Sequence, residues 1–326
     1  MCSLSFKDIK HFLSTRECNW WTTNSERCNR YIESQNGTIV SPNYPNKYQP
    51  NLICEYVFQG SGIERIQLKF LDMSLRYTKG DPKDPYDCSG EDMLSVFITL
   101  NGTDVKLGDY CGQKKPPMLM SSEPKMRVRF QSKRTGTTNS EKSGFKLQYT
   151  FRKDFGITVG QQDGRKLCTF NYYSTKLPRG NITSPNYPGL YPRNTECHYL
   201  FYGRQAEKVF ISFPEFDVDG VPPRCDKSTN SDYVSFSNFR GTDDRKMSRF
   251  CGKKMDTANV SSDGGFFRVT FKSNNVYDAE GFRGEYQFIN TQSDTTTFGV
   301  QSSASRIYKI CELTYSLLFL LAAAVL

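Results

Sequence analysis

The sequence is poor in histidine, with two residues, His11 and His198, among 326. A chain with so few imidazoles has little capacity for general acid–base catalysis by this side chain. The sequence also contains no GxSxG elbow, no P-loop and no HExxH motif, the short signatures of common hydrolases, NTPases and metalloproteases. We therefore expect a non-enzymatic protein in which His198 is a surface or half-buried strand residue.

Long apolar runs and basic runs are also scarce. The mean hydropathy of −0.60 excludes a multi-span membrane protein. The net charge is +9, but lysines and arginines are interleaved with acids, and no basic run alternates with stacking aromatics. We therefore expect no nucleic-acid partner, whereas an acidic protein, an acidic glycan or a membrane surface is compatible with the charge.

The chain contains no CxxC pair, so structural zinc is not expected, yet it has 11 cysteines. Matched sets of four in the two halves are typical of disulfides formed in an oxidising compartment. Eight cysteines allow 105 pairings, which the residues alone leave open. Four N-glycosylation sequons also indicate an extracellular protein: Asn36, Asn101, Asn181 and Asn259. Outside the two sets lie Cys2, Cys18 and Cys311.

The sequence repeats itself at domain spacing. The phrase "VSPNYPNKYQPNLICEYVF" at 40–58 returns as "TSPNYPGLYPRNTECHYLF" at 183–201. An offset of 143 positions pairs Ser41 with Ser184, Cys54 with Cys197 and Phe58 with Phe201. The repeat predicts two domains. Proline and asparagine in each SPNYP phrase favour a turn that shapes the route between strands rather than a binding motif.

Alternating apolar residues predict strands within both repeats. Ile66, Leu68 and Phe70 share one face of the segment 65–70, and segment 125–130 places Met126, Val128 and Phe130 inward. The second repeat has matching segments at 208–213 and 266–271. Many short strands separated by turn signals predict an all-β chain of two antiparallel β-sandwiches.

The ordered set of motifs resembles the CUB domain: a cysteine, SPNYP, a second cysteine, a third near an Asp, then "CG", "FxS" and "GF". The resemblance implies two tandem jelly-roll-like sandwiches over 28–151 and 168–289, joined by a linker over 152–167. It also implies four disulfides, which are Cys28–Cys54, Cys88–Cys111, Cys168–Cys197 and Cys225–Cys251.

Many CUB domains hold Ca²⁺ with acidic residues from loops at one end of the sandwich, and oxygen ligands suit this ion. In the second domain the resemblance assigns these positions to Asp219, Asp232 and Asn274, which predicts a weak or absent site. The first domain keeps Asp92 but has Arg76 and Lys133 at the other two positions. We expect these cations to exclude Ca²⁺ there and to pair with Asp92 instead.

A basic stripe is predicted in the first domain. Lys125, Arg127 and Arg129 alternate with inward apolar residues, so all three should project from one sheet face. Such a face is a candidate docking site for an acidic partner or a sulfated glycan. Charged residues on a solvated strand face provide the alternative interpretation.

The two ends of the chain carry further expectations. The segment 1–27 lacks the apolar core of a secretory leader, so we expect an incomplete start, with unconventional export as the alternative. The polar stalk 290–312 is followed by an uncharged tail, 313–326, too short to span a bilayer. With Ser302 and Ser303 as candidate attachment residues, this arrangement predicts a GPI anchor and a cell-surface location. A short membrane tail is the alternative.

The second repeat is also similar to the suppressor-of-lurcher and Neto proteins through "SPNYPGLYPRNTECHYLFYG", "FDVDG" and "SDYVSFSNF". That resemblance implies an auxiliary subunit of an ionotropic glutamate receptor, anchored to the membrane. Two alternatives remain: a soluble matrix or glycan-binding protein, and a fragment of a larger CUB-containing protease.

Overall fold

The structure, a computed structural model, describes residues 28–33, 35–133, 143–241, 248–253 and 259–291. The segment 1–27, Cys2, Cys18, Cys311, Ser302, Ser303 and the tail 313–326 lie outside the described residues. Within the described part, regular structure consists of β-strands and one 3₁₀ turn, Lys227–Thr229. The described part of the chain is all-β, as predicted.

The first repeat folds into two packed sheets. A five-stranded sheet has the order β1-β3-β8-β5-β6, and a four-stranded sheet has the order β2-β9-β4-β7. The strands are β1 Arg30–Glu33, β2 Gly37–Val40, β3 Ile53–Gln59, β4 Arg65–Ser74, β5 Met93–Leu100, β6 Thr103–Tyr110, β7 Leu119–Met120, β8 Lys125–Gln131 and β9 Gly144–Arg152.

The second repeat has the same plan. A six-stranded sheet has the order β10-β11-β13-β18-β15-β16, and a four-stranded sheet has the order β12-β19-β14-β17. The strands are β10 Gln161–Gln162, β11 Thr169–Tyr173, β12 Arg179–Thr183, β13 Glu196–Tyr202, β14 Glu207–Asp217, β15 Tyr233–Ser237, β16 Arg249–Phe250, β17 Asn259–Ser261, β18 Phe266–Lys272 and β19 Gly281–Asn290.

Alternate residues of the inner strands form the core of each sandwich. Val128 on β8 and Val269 on β18 are fully buried. Their sequence neighbours Arg127 and Thr270 lie on the opposite face of each strand, where Arg127 is half-buried and Thr270 is buried. The predicted inward residues of both first-repeat segments are buried: Ile66, Leu68, Phe70, Met126, Val128 and Phe130. Period-two alternation identified the first-repeat strands because each has one face in the core and a second, more exposed face.

One strand pair in each sandwich differs from the predicted antiparallel arrangement. β1 runs parallel to β3, and β11 runs parallel to β13, whereas the remaining pairs are antiparallel. Each parallel pair begins beside a disulfide, Cys28–Cys54 in the first domain and Cys168–Cys197 in the second. A parallel neighbour needs a crossover connection. The SPNYP segment and strand β2 or β12 lie on that connection.

The SPNYP serines explain why a "GF" pair recurs at the start of each last strand. Ser41 Oγ accepts the Phe145 backbone N–H at 3.1 Å, and Ser184 Oγ accepts that of Phe282 at 3.0 Å. A Cβ added at Gly144 would lie 1.8 Å from Ser41 Oγ. With φ of +91° this position also requires glycine for its backbone. The SPNYP turn is therefore clamped to the last strand.

The segment 152–167, predicted as a linker, packs tightly onto the second domain. Phe155 and Ile157 belong to its core and are almost fully buried. From the first domain, the guanidinium of Arg65 lies 5.1 Å from the centre of the Phe155 ring. Met120 of β7 also joins the second core. The connection is therefore part of an interdomain junction.

The second SPNYP loop completes this junction. The buried Asn186 accepts a hydrogen bond from Gln67 Nε2 at 2.7 Å and donates to the Met118 carbonyl at 3.0 Å. The Leu190 N–H donates to the same carbonyl at 3.0 Å. The first-repeat equivalent of Asn186 is Asn43, which is exposed and whose side chain donates a hydrogen bond only to the nearby Lys47 carbonyl. Identical phrases thus have different roles, and the turn interpretation is incomplete for the second.

We expect Asn186→Gly to lower the free energy of unfolding by about 2 kcal/mol, because buried hydrogen bonds to Gln67 and Met118 are lost. Asn43→Gly is the matched control, since both asparagines have positive φ, which glycine tolerates. The control should cost less than about 1 kcal/mol. Calorimetric unfolding measures stability, and small-angle scattering should show a larger radius of gyration only for Asn186→Gly. Equal effects of the two substitutions would contradict the junction.

Candidate functional site

A buried tyrosine and aspartate lie together at one end of the first sandwich. Tyr48 donates to Asp92 Oδ2 at 2.7 Å, and its hydroxyl accepts the Arg76 N–H at 3.0 Å. Asp92 Oδ1 accepts the Lys133 N–H at 2.7 Å. Tyr48 follows the SPNYP segment, and Asp92 precedes β5. Their contacts reach the loops that follow β4 and β8.

The expected pairing of cations with Asp92 holds for one residue. Arg76 Nε lies 3.6 Å from Asp92 Oδ1, and its Nη1 lies 3.8 Å from Glu91 Oε2. The expectation for Lys133 is wrong: its backbone N–H contacts Asp92, and the structure shows no ion pair of its ammonium within the described residues. Lys133 lies two residues after the end of β8, and there the backbone N–H rather than the side chain contacts the carboxylate.

The second sandwich repeats this geometry with the opposite charge. Tyr191 donates to Asp232 Oδ2 at 2.6 Å, and its hydroxyl accepts the Asp219 N–H at 2.9 Å. Asp232 Oδ1 accepts the Asn274 N–H at 2.5 Å. Asp219 thus occupies the place of Arg76. The structure brings together all three predicted residues, Asp219, Asp232 and Asn274.

Negative charge accumulates at this end of the second domain. Burial raises the pKa of Asp232 to about 6, and the carboxylates of Asp219 and Asp278 add to the increase. Burial also raises the pKa of Asp219, again with contributions from Asp278 and Asp217. A bound cation would relieve both shifts. In the first domain Arg76 supplies a positive charge at this place.

The motif comparison missed Asp278. This carboxylate lies in "YDAEGF", between the "FxS" and "GF" motifs, and pairs with Arg193 at 2.6 Å. Asp278 matches no position of the CUB motif. The only sign of it in the sequence is that this short loop contains two acidic residues. The charge of Asp278 contributes to raising the pKa of both Asp219 and Asp232.

The residues fit a calcium ion in part. The carboxylates of Asp219 and Asp232 are hard oxygen donors of the kind that Ca²⁺ prefers. Asn274 does not fit in its present arrangement, because its Oδ1 accepts the Val276 N–H at 2.7 Å and its Nδ2 donates to the Asn230 carbonyl at 2.7 Å. Among the described residues, no group of three or more acidic, histidine or cysteine side chains has a geometry that could hold a metal.

The basic stripe exists, but its charges are compensated. Lys125, Arg127 and Arg129 project from one face of β8, where the two arginines lie 3.2 and 3.6 Å from Glu55. Arg127 and Lys125 lie 3.4 and 3.9 Å from Asp104. Glu55 lies on β3, which neighbours β8, and Asp104 lies on β6, which is separated from β8 by β5. The face is therefore a mixed-charge network and not an open cationic patch.

Two of the four sequons share one row across the sheet β12-β19-β14-β17. Asn181 pairs with Glu285, Glu285 with Ser212, and Ser212 with Asn259. Residues directly opposite one another in a sheet share a face, so Asn181 and Asn259 point to the same side. Both line a groove of about 550 Å³ there. In the first domain Asn36 precedes β2, and Asn101 lies in the β5–β6 turn; both are exposed.

His198 lies half-buried on β13, as predicted for a strand residue. Its Nδ1 is 3.2 Å from Thr270 Oγ1, and its Nε2 is 3.4 Å from Glu196 Oε1. The second of these carboxylate oxygens, Oε2, accepts the Lys272 ammonium at 2.6 Å. The imidazole therefore bridges the Thr270 hydroxyl and the Glu196 carboxylate.

The fold, the four disulfides and the paired tyrosine–aspartate ends define a protein of two tandem extracellular-type sandwich modules. The disulfides join the pairs that the resemblance implied: Cys28–Cys54, Cys88–Cys111, Cys168–Cys197 and Cys225–Cys251. The model of the CUB domain family matches residues 28–149 and 168–286. The chain belongs to the CUB domain family, with two CUB repeats.

Several known proteins are similar to this chain. Bone morphogenetic protein 1 of Xenopus laevis is 24% identical over 286 residues, which cover 79% of this chain and 38% of that protein. Human neuropilin-1 is 26% identical over 297 residues, which cover 88% of this chain and 28% of that protein. The chain thus spans less than two fifths of the length of these relatives. It is a CUB-domain protein of the kind involved in extracellular protein interactions.

A solved structure of the MASP-1 CUB2 domain, described as bound to Ca²⁺, is 27% identical. It covers 36% of this chain and 96% of its own, with a TM-score of 0.30. Within the part of the chain that the structure describes, no helix is long and apolar enough to cross a bilayer.

We expect Arg76→Met to lower the free energy of unfolding by about 3 kcal/mol, because it leaves Asp92 and Glu91 buried without a cation. Both carboxylates are nearly inaccessible, at 1% and 4% exposure of the side chain. The control Lys125→Met removes an exposed cation 3.9 Å from Asp104 and should cost less than about 1 kcal/mol. Equilibrium denaturation measures both. A cost for Arg76→Met no larger than that of the control would contradict the role of Arg76.

Proposed function

We propose that this protein is a non-enzymatic recognition protein of the cell surface, whose tandem CUB domains bind a protein partner outside the cell. In its most specific form, the proposal is that the partner is an ionotropic glutamate receptor and that the chain is its auxiliary subunit. The tail 313–326, with attachment at Ser302 or Ser303, would provide the GPI anchor. Membership of the CUB family supports the recognition role, and the similarity of the second repeat to suppressor-of-lurcher and Neto proteins supports the receptor.

The observation that carries the recognition role is the interdomain junction. Asn186, Gln67 and Met118 hold the two sandwiches in one arrangement through buried hydrogen bonds. A preorganised pair of domains presents one extended surface and loses less conformational entropy on binding than two loosely linked modules. Such a surface can bind one state of a receptor more tightly than another, which is the requirement for changing its gating.

The sequons suggest which face of the second domain meets the partner. We propose that Asn181 and Asn259 carry glycans, which would cover the outer face of the sheet β12-β19-β14-β17. The opposite sheet, with β13 and β18 in its middle, would remain free. Asn36 and Asn101 are the corresponding candidates in the first domain.

Co-expression with an ionotropic glutamate receptor tests the proposal. We expect altered desensitisation or surface level of the receptor, measured by patch clamp and surface labelling. The variant Asn181→Gln, Asn259→Gln should retain the effect, because its sequons lie on the proposed non-contact face. Phosphatidylinositol-specific phospholipase should release the chain from cells and abolish the effect. Unchanged receptor currents and surface levels would reject the receptor role, and an enzyme-resistant chain would reject the anchor.

We also propose that Asp219 and Asp232 hold Ca²⁺ weakly in the second domain, with Asn274 as a ligand only if it releases the Val276 N–H. Calorimetric titration should give a dissociation constant of about 1 mM, as for other extracellular modules. Since the pKa of Asp232 is about 6, protonation should weaken Ca²⁺ binding about tenfold between pH 7.5 and pH 5.

Asp219→Asn should abolish the heat of Ca²⁺ binding. Asp84→Asn, which alters an exposed carboxylate paired with Lys114 in the first domain, should leave it unchanged. No heat at millimolar Ca²⁺, or binding that is independent of pH through this range, would contradict the site.

A further inference from the structure

A pocket of about 340 Å³ lies on the outer face of the second domain's six-stranded sheet. Three cationic residues line it, Lys166, Arg240 and Arg268, together with the half-buried His198. No acidic residue lines it within the described ranges. Its apolar wall consists of Leu200, Tyr202 and Phe266.

Arg268 is the buried charged residue of this pocket. It is a charged side chain only 7% exposed. Its Nη1 donates to the Gly241 carbonyl at 2.7 Å, but its Nε is buried without a hydrogen-bond partner among the residues that the structure describes. An unpaired buried donor on a charged group is unfavourable. An anion in the pocket would lower this cost by neutralising the guanidinium.

The equivalent arginine of the first domain is paired with carboxylates. Arg127 occupies the equivalent position on β8: its cross-strand neighbour is Val57, as that of Arg268 is Leu200. Arg127 lies 3.2 Å from Glu55 and 3.4 Å from Asp104.

In the second domain, the strand position equivalent to Glu55 is His198, opposite Thr270 as Glu55 is opposite Arg129. The nearest carboxylate on that strand, Glu196, is engaged by Lys272 at 2.6 Å and by His198 at 3.4 Å. A network of paired charges in the first domain thus corresponds, within the residues that the structure describes, to a pocket lined by cations in the second.

Arg240 is positioned in advance for a ligand. Its guanidinium lies 5.7 Å from the centre of the Tyr202 ring and 5.5 Å from that of Phe266. These cation–π contacts hold an otherwise exposed arginine at the rim of the pocket. Arginine binds oxyanions through two parallel N–H donors, and Lys166 adds a third charge on the rim.

We propose that this pocket binds a sulfated sugar, with the sulfate held by Arg268, Arg240 and Lys166 and the ring against Leu200, Tyr202 and Phe266. The volume is at the lower end of small-ligand sites and suits one or two sugar rings rather than an extended peptide. The site goes beyond the proposed function, because it requires neither the receptor nor the anchor.

The test is calorimetric titration of the full chain with a trisulfated heparin disaccharide. We expect saturable binding with a dissociation constant below about 1 mM, weakened about tenfold by Lys166→Gln or Arg240→Gln. Both residues are exposed, so their replacement should leave folding intact. Arg268→Gln should abolish binding. Arg127→Gln is the matched control at the equivalent position and should change affinity less than about twofold.

Four results would overturn the proposal. One is the absence of saturable binding at about 10 mM disaccharide. A second is binding that is insensitive to both Lys166→Gln and Arg240→Gln but lost with Arg127→Gln, which would place the ligand on the first domain. Inorganic sulfate that binds as tightly as the disaccharide would exclude recognition of the sugar. A sulfotyrosine peptide that binds more tightly would make the occupant a protein.

Discussion

The end of each sandwich depends on one buried hydrogen bond from a tyrosine to an aspartate. Tyr48 and Tyr191 each donate to the carboxylate and accept a backbone N–H from the loop after the fourth or fourteenth strand. A buried ionised carboxylate is tolerated only when it is hydrogen-bonded and its charge is compensated. The way in which each domain supplies this compensation distinguishes the two repeats.

In the first domain a residue of the chain compensates the buried negative charge, because the guanidinium of Arg76 pairs with Asp92 and Glu91. In the second domain the same backbone position carries Asp219, and the pKa of Asp232 rises to about 6 through burial and neighbouring carboxylates. The first end thus has a cation beside its central carboxylate, whereas the second has Asp219 at that place. One scaffold supports a structural role and a candidate binding role through a single inversion of charge.

Strand positions and disulfide pairs could be predicted because they are properties of one repeat at a time. Alternation exposes one face of each strand, and the resemblance carried the cysteine pairing. The sequences of β8 and β18 alone do not distinguish the basic stripe from the pocket, since both strands have an arginine at the equivalent outward position. Among the described residues, their difference depends on Glu55, which reaches Arg127 from β3 and whose place on β13 is taken by His198. The role of Asn186 was equally hidden, because Asn43 sits in the same phrase without a neighbouring domain.

The junction between the domains has a polarity. The SPNYP loop of the later module inserts its asparagine against Gln67 and Met118, beside the β4–β7 edge of the earlier one. Donor and acceptor surfaces are therefore different, as in a heterologous contact. A chain that repeats this junction would grow as a head-to-tail column. At any length, the column would have one unpaired SPNYP loop at one end and one unpaired β4–β7 edge at the other. Rod length could then be set by gene duplication alone, without the invention of any new interface.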